Sequence, residues 1–272
     1  MKSSLAINSV LSIAALLASM IPHSEAANAP QYDLLIKNGR VVDGTGRQGY
    51  VADVAIKGDR IARIGKLGKS SARRVIDARG LVVAPGFIDL LGQSEINLLI
   101  DPRAMSKVMQ GVTTEITGEG STVAPINERL VAEEGEYYRR YNLTVDWRTL
   151  GEYFTRLEKQ GVGVNLGTFV GATQVRAFVI GFDNRPPTAD ELIQMRRLVA
   201  DAMEDGALGL STSLQYVPAR FAKTNEIVEL AMAAKRYGGI YATHQRSEAN
   251  AIDASLEEVF EIGRRARIPV EI

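Results

Sequence analysis

The feature that most constrains the fold is a repeat of pattern rather than of residues. From Pro85 onward, short apolar runs end abruptly in polar clusters, and amphipathic segments separate them. Phe87 to Leu91 runs into Gln93, Ser94 and Glu95, and Val112 to Thr117 into Gly118-Glu119-Gly120-Ser121. Val164 to Val170 meets Gly171-Ala172-Thr173-Gln174, Ala207 to Leu210 meets Ser211-Thr212-Ser213, and Ile240 to Thr243 meets His244-Gln245-Arg246-Ser247-Glu248. Ile268 to Ile272 starts a further run. Buried parallel strands read as near-continuous apolar stretches and deliver their functional side chains at their C-terminal ends.

The intervening segments carry helix signals. Asp101 to Gln110 is amphipathic and stopped by Gly111. A helix from about Asp146 places Trp147, Leu150, Phe154 and Leu157 on one face, and Thr188 with Glu191 forms a capping box for a helix to Glu204. Ile227 to Arg236 and Ala254 to Ala266 complete the series. Strands alternating with helices predict the α/β class: a (β/α) TIM-type barrel, incomplete with about six strands. An open α/β sheet is the alternative. So few strands leave edges unpaired and the interior unfilled, so the sequence is expected to be the N-terminal part of a longer polypeptide.

Ahead of the barrel, Tyr32 to Ala84 reads as a small β subdomain. Asn38-Gly39 between Asp33–Lys37 and Arg40–Asp43 predicts a hairpin turn, and Gly58-Asp59 between Val51–Lys57 and Arg60–Ile64 predicts a second. Arg74 to Asp77 and Leu81 to Ala84 add two strands. Lys2, the apolar stretch Leu5 to Met20 and Ser24-Glu25-Ala26 together predict a secretory signal peptide cleaved after Ala26, hence export to a bacterial periplasm. The expected organisation is a signal peptide at 1–26, the N-terminal part of a β-sandwich subdomain at 27–84, and the barrel at 85–272.

Charge narrows the function. Lys and Arg number 32 and Asp and Glu 32, so no basic surplus exists to neutralise phosphates, and a nucleic-acid partner is not expected. No membrane partner is expected after signal cleavage. The chain has no cysteine, which excludes disulfides and thiolate ligands. Of its two histidines, His23 lies in the expected leader, so imidazole chemistry in the mature chain rests on His244. A core histidine bonded to backbone is the competing reading, but the flanking Thr243, Gln245, Arg246 and Glu248 favour a functional one.

Several motifs coincide with a known family. Asp33-Leu34-Leu35-Ile36-Lys37-Asn38-Gly39, Val42-Asp43-Gly44-Thr45-Gly46, Ala84-Pro85-Gly86-Phe87-Ile88-Asp89 and Gln110-Gly111-Val112-Thr113-Thr114 are of superfamily type. Gly206 to Pro218 is more specific, and Thr243-His244-Gln245-Arg246-Ser247-Glu248 continues the match. On these the sequence resembles the N-acyl-D-amino-acid deacylases (D-aminoacylases) of the amidohydrolase superfamily. The resemblance implies zinc-dependent hydrolysis of an N-acyl amide to a carboxylate and a D-amino acid.

It also implies site residues. His244 aligns with a metal-binding histidine, and Glu119 stands where family members carry a metal-binding cysteine. Glu119 is a hard oxygen donor that zinc accepts. Where the family has His-x-His after the first barrel strand, this chain has Leu91-Gly92-Gln93, and Ala172 replaces a histidine after the third. Gln93 and Glu95 are further candidate ligands, weighed against a solvated or salt-bridged role. Tyr216 is a candidate substrate-binding residue through a hydrogen bond to the acyl carbonyl, against a ring packed on the barrel rim. Arg246 is another, able to clamp a carboxylate, with a structural pair to Glu248 as the alternative. A catalytic aspartate and a further histidine are expected beyond Ile272. Ser211, Thr212 and Ser213 carry no Gly-x-Ser-x-Gly elbow, so no serine nucleophile is expected. Other amidohydrolase activities (dihydroorotase, hydantoinase or dipeptidase type) and a non-catalytic remnant of the scaffold are the alternatives.

Overall fold

A computed structural model describes residues 29–272. The expected signal peptide at 1–26 lies outside the described residues. Packing divides the chain into two units, one ending at Pro85 and the other running from Gly86 to Ile272.

The first unit is a twisted five-stranded sheet. β1 (Tyr32–Val41) pairs antiparallel with β2 (Tyr50–Lys57), which pairs antiparallel with β3 (Arg60–Gly65). β4 (Ala72–Asp77) and β5 (Val82–Val83) both lie parallel to β1. The Gly58 turn joins β2 to β3 as the sequence predicts, with Gly58 at φ +61°. The Asn38-Gly39 turn does not form. β1 passes straight through it, with Asn38 at φ 62° and a shift in register between Ile36 and Gly39. The cause is tertiary. Asp53 accepts a hydrogen bond from the Asn38 N–H at 2.9 Å and Asp77 one from the Asn38 side-chain amide at 3.2 Å, so the left-handed residue becomes a bulge inside a strand.

The second unit carries parallel strands in chain order. They are β6 (Phe87–Asp89), β7 (Val112–Thr117), β8 (Asn165–Thr168), β9 (Val170–Gly171), β10 (Gly209–Ser213), β11 (Ile240–His244) and β12 (Val270–Glu271). β6, β7 and β8 form one sheet, and β9 to β12 another, with only Phe169 between β8 and β9. One stretch of chain therefore serves both sheets, and the strands follow one another in sequence order, all parallel. An open doubly wound sheet reverses its strand order at a switch point; this arc does not, and it is an incomplete (β/α) barrel.

Nine helices accompany the strands among the described residues. They are α1 (Glu95–Ile100), α2 (Met105–Val108), α3 (Glu128–Glu133), α4 (Gly135–Arg140), α5 (Leu150–Gln160), α6 (Ala172–Val179), α7 (Ala189–Glu204), α8 (Thr224–Lys235) and α9 (Ile252–Ala266). Capping boxes open α5 (Thr149 with Glu152) and α7 (Thr188 with Glu191). The core fills the space between helices and strands, with Trp147, Tyr153, Leu210, Leu230, Tyr241 and Val259 buried within it. Its three large polar tips are satisfied: the Trp147 indole donates to the Val123 carbonyl at 3.0 Å, the Tyr153 hydroxyl to the Glu95 carbonyl at 2.8 Å, and the Tyr241 hydroxyl bonds the Thr212 hydroxyl at 2.8 Å.

Two helix assignments differ from expectation. The segment Asp101 to Gln110 is not one helix: α1 ends before Asp101-Pro102, and α2 begins only after Ala104, which sits at φ 48°. Proline disfavours helical backbone in the residue before it and donates no N–H. The polar run Ala172-Thr173-Gln174 is not a strand-end loop but the first turn of α6, buried against its neighbours.

Candidate functional site

The site is built at the C-terminal ends of β7, β10 and β11. Immediately beyond β7, Glu119 sits between two glycines that only glycine can occupy. Gly118 is at φ +89°, where an added Cβ would lie 2.6 Å from the Phe169 carbonyl oxygen. Gly120 is at φ +70°, where one would lie 2.4 Å from the Ser213 hydroxyl oxygen. Hydrogen bonds fix the same loop. The Gly118 N–H donates to Glu95 Oε1 at 3.0 Å, the Gly120 N–H to Ser211 Oγ at 2.9 Å, and the Ser211 hydroxyl donates in turn to the Gly118 carbonyl. This explains the buried polar residues Ser211 and Thr212 of β10. Ser211 holds the Glu119 loop, and Thr212 bonds the Tyr241 and Thr243 hydroxyls on the adjoining strand at 2.8 and 2.7 Å. They are structural partners, as the missing nucleophile motif implies.

His244 is the last residue of β11. Register places it beside Ser213 of β10, and its carbonyl accepts the Leu214 N–H at 3.0 Å. Its ring points to the strand-end rim, not into the hydrocarbon core. Nδ1 lies 2.9 Å from Glu119 Oε1, across 125 positions of sequence, and Nε2 lies 3.4 Å from Glu248 Oε1. Gln93, from the segment after β6, donates its side-chain amide to Glu119 Oε2 at 3.0 Å. The Tyr216 ring meets the His244 ring edge to face at 5.6 Å, with its own face exposed. Thus Glu119, His244, Gln93 and Tyr216 converge, and Glu119, Gln93 and Tyr216 line one cleft of about 690 Å³ together with Glu95, Ser121 and Ser213. Burial pushes the Glu95 carboxyl above the usual range, despite the hydrogen bond from the Gly118 N–H that favours its charge.

Arg246 departs from expectation. Its partner is Glu258 of α9, not Glu248: Nε and Nη2 engage the two carboxylate oxygens at 2.7 and 2.9 Å. The remaining donors bind the Arg220 and Ala222 carbonyls, each at 3.0 Å. Arg246 lines a different cavity, with Lys223, Thr224 and Glu258, and does not reach the one beside Glu119. Glu248 turns instead to His244. The guanidinium is thereby saturated by protein, and the helix that supplies Glu258 could not be matched to it from neighbouring residues in sequence.

The donor types suit a divalent ion. An imidazole nitrogen and a carboxylate oxygen lie close enough to share one coordination sphere, and Gln93 and Glu248 stand behind them as orienting groups. The number falls short. Zinc takes at least three protein ligands, and no cluster of three His, Cys, Asp or Glu placed to hold a metal occurs among the described residues. Leu91 is exposed and Gln93 gives its amide to Glu119, while the Glu95 carboxylate, from the same segment, lines the cleft and accepts the Gly118 N–H.

Comparison with known proteins places this geometry. No protein-family model matches the chain. A D-aminoacylase of Alcaligenes xylosoxydans xylosoxydans is 39% identical over 254 residues, 90% of this chain and 51% of that protein. The crystal structure of a D-aminoacylase, described as defining a novel subset of amidohydrolases, superposes with a TM-score of 0.79 at 39% identity over 88% of this chain and 50% of that one. Along that length the chain is homologous to D-aminoacylases. An N-acyl-D-glutamate deacylase from Bordetella bronchiseptica, solved with zinc and a phosphonate mimic of the tetrahedral intermediate, superposes with a TM-score of 0.80 at 32% identity, over 89% and 51% of the two chains. The D-aminoacylase-like chain described here spans about half the length of the curated relatives it matches.

Proposed function

We propose that this chain carries part of the centre of a metal-dependent hydrolase that cleaves a linear, non-peptide amide, converting an N-acyl-D-amino acid to a carboxylate and a D-amino acid. The observation that carries the reading is the meeting of Glu119 and His244 at 2.9 Å on the rim of parallel strands, in a chain homologous to D-aminoacylases. Glu119 and His244 would hold the ion, zinc in this reading or another divalent metal. When bound, such an ion supplies a water of lowered pKa and polarises the amide carbonyl. The chain's own residues do the positioning. Gln93 fixes one Glu119 oxygen by its amide N–H and leaves the other facing the imidazole. Glu248 stands opposite Nε2 and orients the ring. Tyr216 walls the His244 ring and offers its phenol to the substrate carbonyl. Export through a cleaved leader at 1–26 belongs to the same proposal, and a mature N-terminus other than Ala27 by mass spectrometry would remove it.

Hydrolysis of N-acetyl-D-amino acids, their L-enantiomers and a cyclic hydantoin, each with zinc and with a chelator, tests the activity on a polypeptide in which this chain is joined to the ligands that complete its metal site. D-selective turnover abolished by chelator is the expected result. Turnover indifferent to chelator sinks the reading, and preference for the cyclic amide moves it to a hydantoinase. Zinc binding without turnover of any substrate would favour a binding protein on the same scaffold.

A further inference from the structure

The loop that carries Tyr216 runs from the end of β10 to the start of α8, and both of its ends are tied to one short segment, His244-Gln245-Arg246. At the near end the Leu214 N–H donates to the His244 carbonyl at 3.0 Å. At the far end, around the 3-10 helix Ala219–Phe221, Arg246 donates through Nη1 to the Arg220 carbonyl and through Nη2 to the Ala222 carbonyl, each at 3.0 Å. The clamp is itself anchored on a helix: Glu258 of α9 holds Nε and Nη2, and it also accepts the Thr224 hydroxyl at 2.9 Å. Between the two ties, the Tyr216 carbonyl accepts the Arg220 N–H at 2.7 Å. A residue that Arg246 grips by its carbonyl is thus bonded directly to Tyr216.

Tyr216 needs such a tie. It is 57% exposed, so burial does not fix its ring against that of His244. Beyond Pro218 the buried side chains of the loop are Ala219 and Ala222, with only a methyl group each to pack. The ring's place is therefore inherited from the main chain beneath it. A planar, forked guanidinium binds two carbonyls and a carboxylate at once, which the compact charge of an ammonium does not reproduce. Arg246 itself does not line the cleft that Glu119 and Tyr216 share. We propose that Arg246 is a positioning residue: it closes the loop onto the end of β11 and thereby sets the Tyr216 phenol beside the His244 ring. The consequence for turnover rests on the reading of Tyr216 as donor to the substrate carbonyl; the geometry does not.

Fluorotyrosine installed in place of Tyr216 gives a fluorine NMR resonance that reports the ring's surroundings in the chain itself. Arg246→Lys is expected to move that resonance toward the value of the free amino acid, with circular dichroism confirming the fold. Glu258→Gln, which loosens the anchor and keeps its shape, is expected to move it the same way by less, and it decides the matter alone if Arg246→Lys does not fold. A resonance unmoved in the folded variants overturns the proposal. On a polypeptide in which this chain is joined to the ligands that complete its metal site, Arg246→Lys should lower kcat/KM for an N-acyl-D-amino acid about tenfold and leave zinc affinity unchanged. In a Tyr216→Phe background the same change should cost less than about twofold. A loss of equal size in that background, or a zinc affinity that falls with it, also overturns the proposal, because the arginine then acts by another route. A shifted resonance with no turnover in the unsubstituted polypeptide upholds the clamp and removes the amide reading alone.

Discussion

Two side-chain pairs in the barrel unit, one of arginine with carboxylate and one of imidazole with carboxylate, are built on opposite terms. Arg176 of α6 and Glu226 of α8 are sealed in the interior, their side chains 1% and 4% exposed, with both carboxylate oxygens bound by one guanidinium nitrogen at 2.9 and 2.7 Å. The other terminal nitrogen caps the Asp183 and Arg185 carbonyls at 3.1 and 2.5 Å. Glu119 and His244 are 20% and 21% exposed, and each is shared with a further polar group. The interior pair holds elements together, and only the Arg176 Nε of its guanidinium lacks a partner. The rim pair is held in place by glycines, a serine and an amide, and its Glu119 member lines the cleft. The interior pair is closed to solvent, whereas the rim pair is positioned and open to it.

That contrast can be broken by measurement. Arg176→Met should cost about 3–5 kcal/mol in urea unfolding, because it strands a carboxylate in low dielectric, and adding Glu226→Leu should recover most of the loss. A single-variant cost below about 1 kcal/mol would erase the distinction. His244→Ala should change stability by less than about 1 kcal/mol, while zinc affinity, read by competition with a chromophoric chelator, falls more than about 100-fold, beyond what losing an orienting group costs. Gln93→Ala should lower that affinity about tenfold without moving the unfolding midpoint; an unchanged affinity would show that the amide contact does not position Glu119.

The smallest effect concerns Glu95, which lines the cleft and ties down Gly118. Burial raises its folded-state pKa, so the fold holds its proton more tightly than the unfolded chain does. Its contribution to stability is full below the unfolded value of about 4.3 and is lost as pH rises through the folded one. Glu95→Gln should therefore melt higher than the parent at pH 8, with the gain vanishing near pH 4. A gain of equal size at both pH values would assign the effect to packing.

Much of the scaffold could be read from the chain because strand and helix signals are local. The Thr188 and Gly58 signals and the order of parallel strands occur as expected, whereas Ser211 to Ser213 belong to β10 itself and Ala172 to Gln174 open α6. Where a local signal met a distant partner, the partner decided. Asn38-Gly39 carries turn chemistry, yet Asp53 and Asp77 convert it to a bulge. Pro102 splits a segment whose apolar spacing suggested one helix. The helices α3, α4 and α6 follow polar, irregular stretches whose periodicity is short or masked by buried polar residues such as Thr173 and Gln174. His244 and Glu119 stood out as strand-tip residues, but their mutual distance, the Gln93 contact and the Glu258 partner of Arg246 depend on how strands and helices are juxtaposed, which residue types alone do not encode.

The glycine-flanked loop beyond β7 has one last implication. With both neighbours pinned, the backbone under residue 119 acts as a fixed perch, and whatever donor is mounted there must make up any difference in reach by itself. Removing one methylene, as in Glu119→Asp, retracts the oxygens by about 1.5 Å with no main chain free to follow. The gap to the imidazole is thus set by side-chain length alone, and a donor of different reach mounted on this loop delivers its atom to a different point of the site.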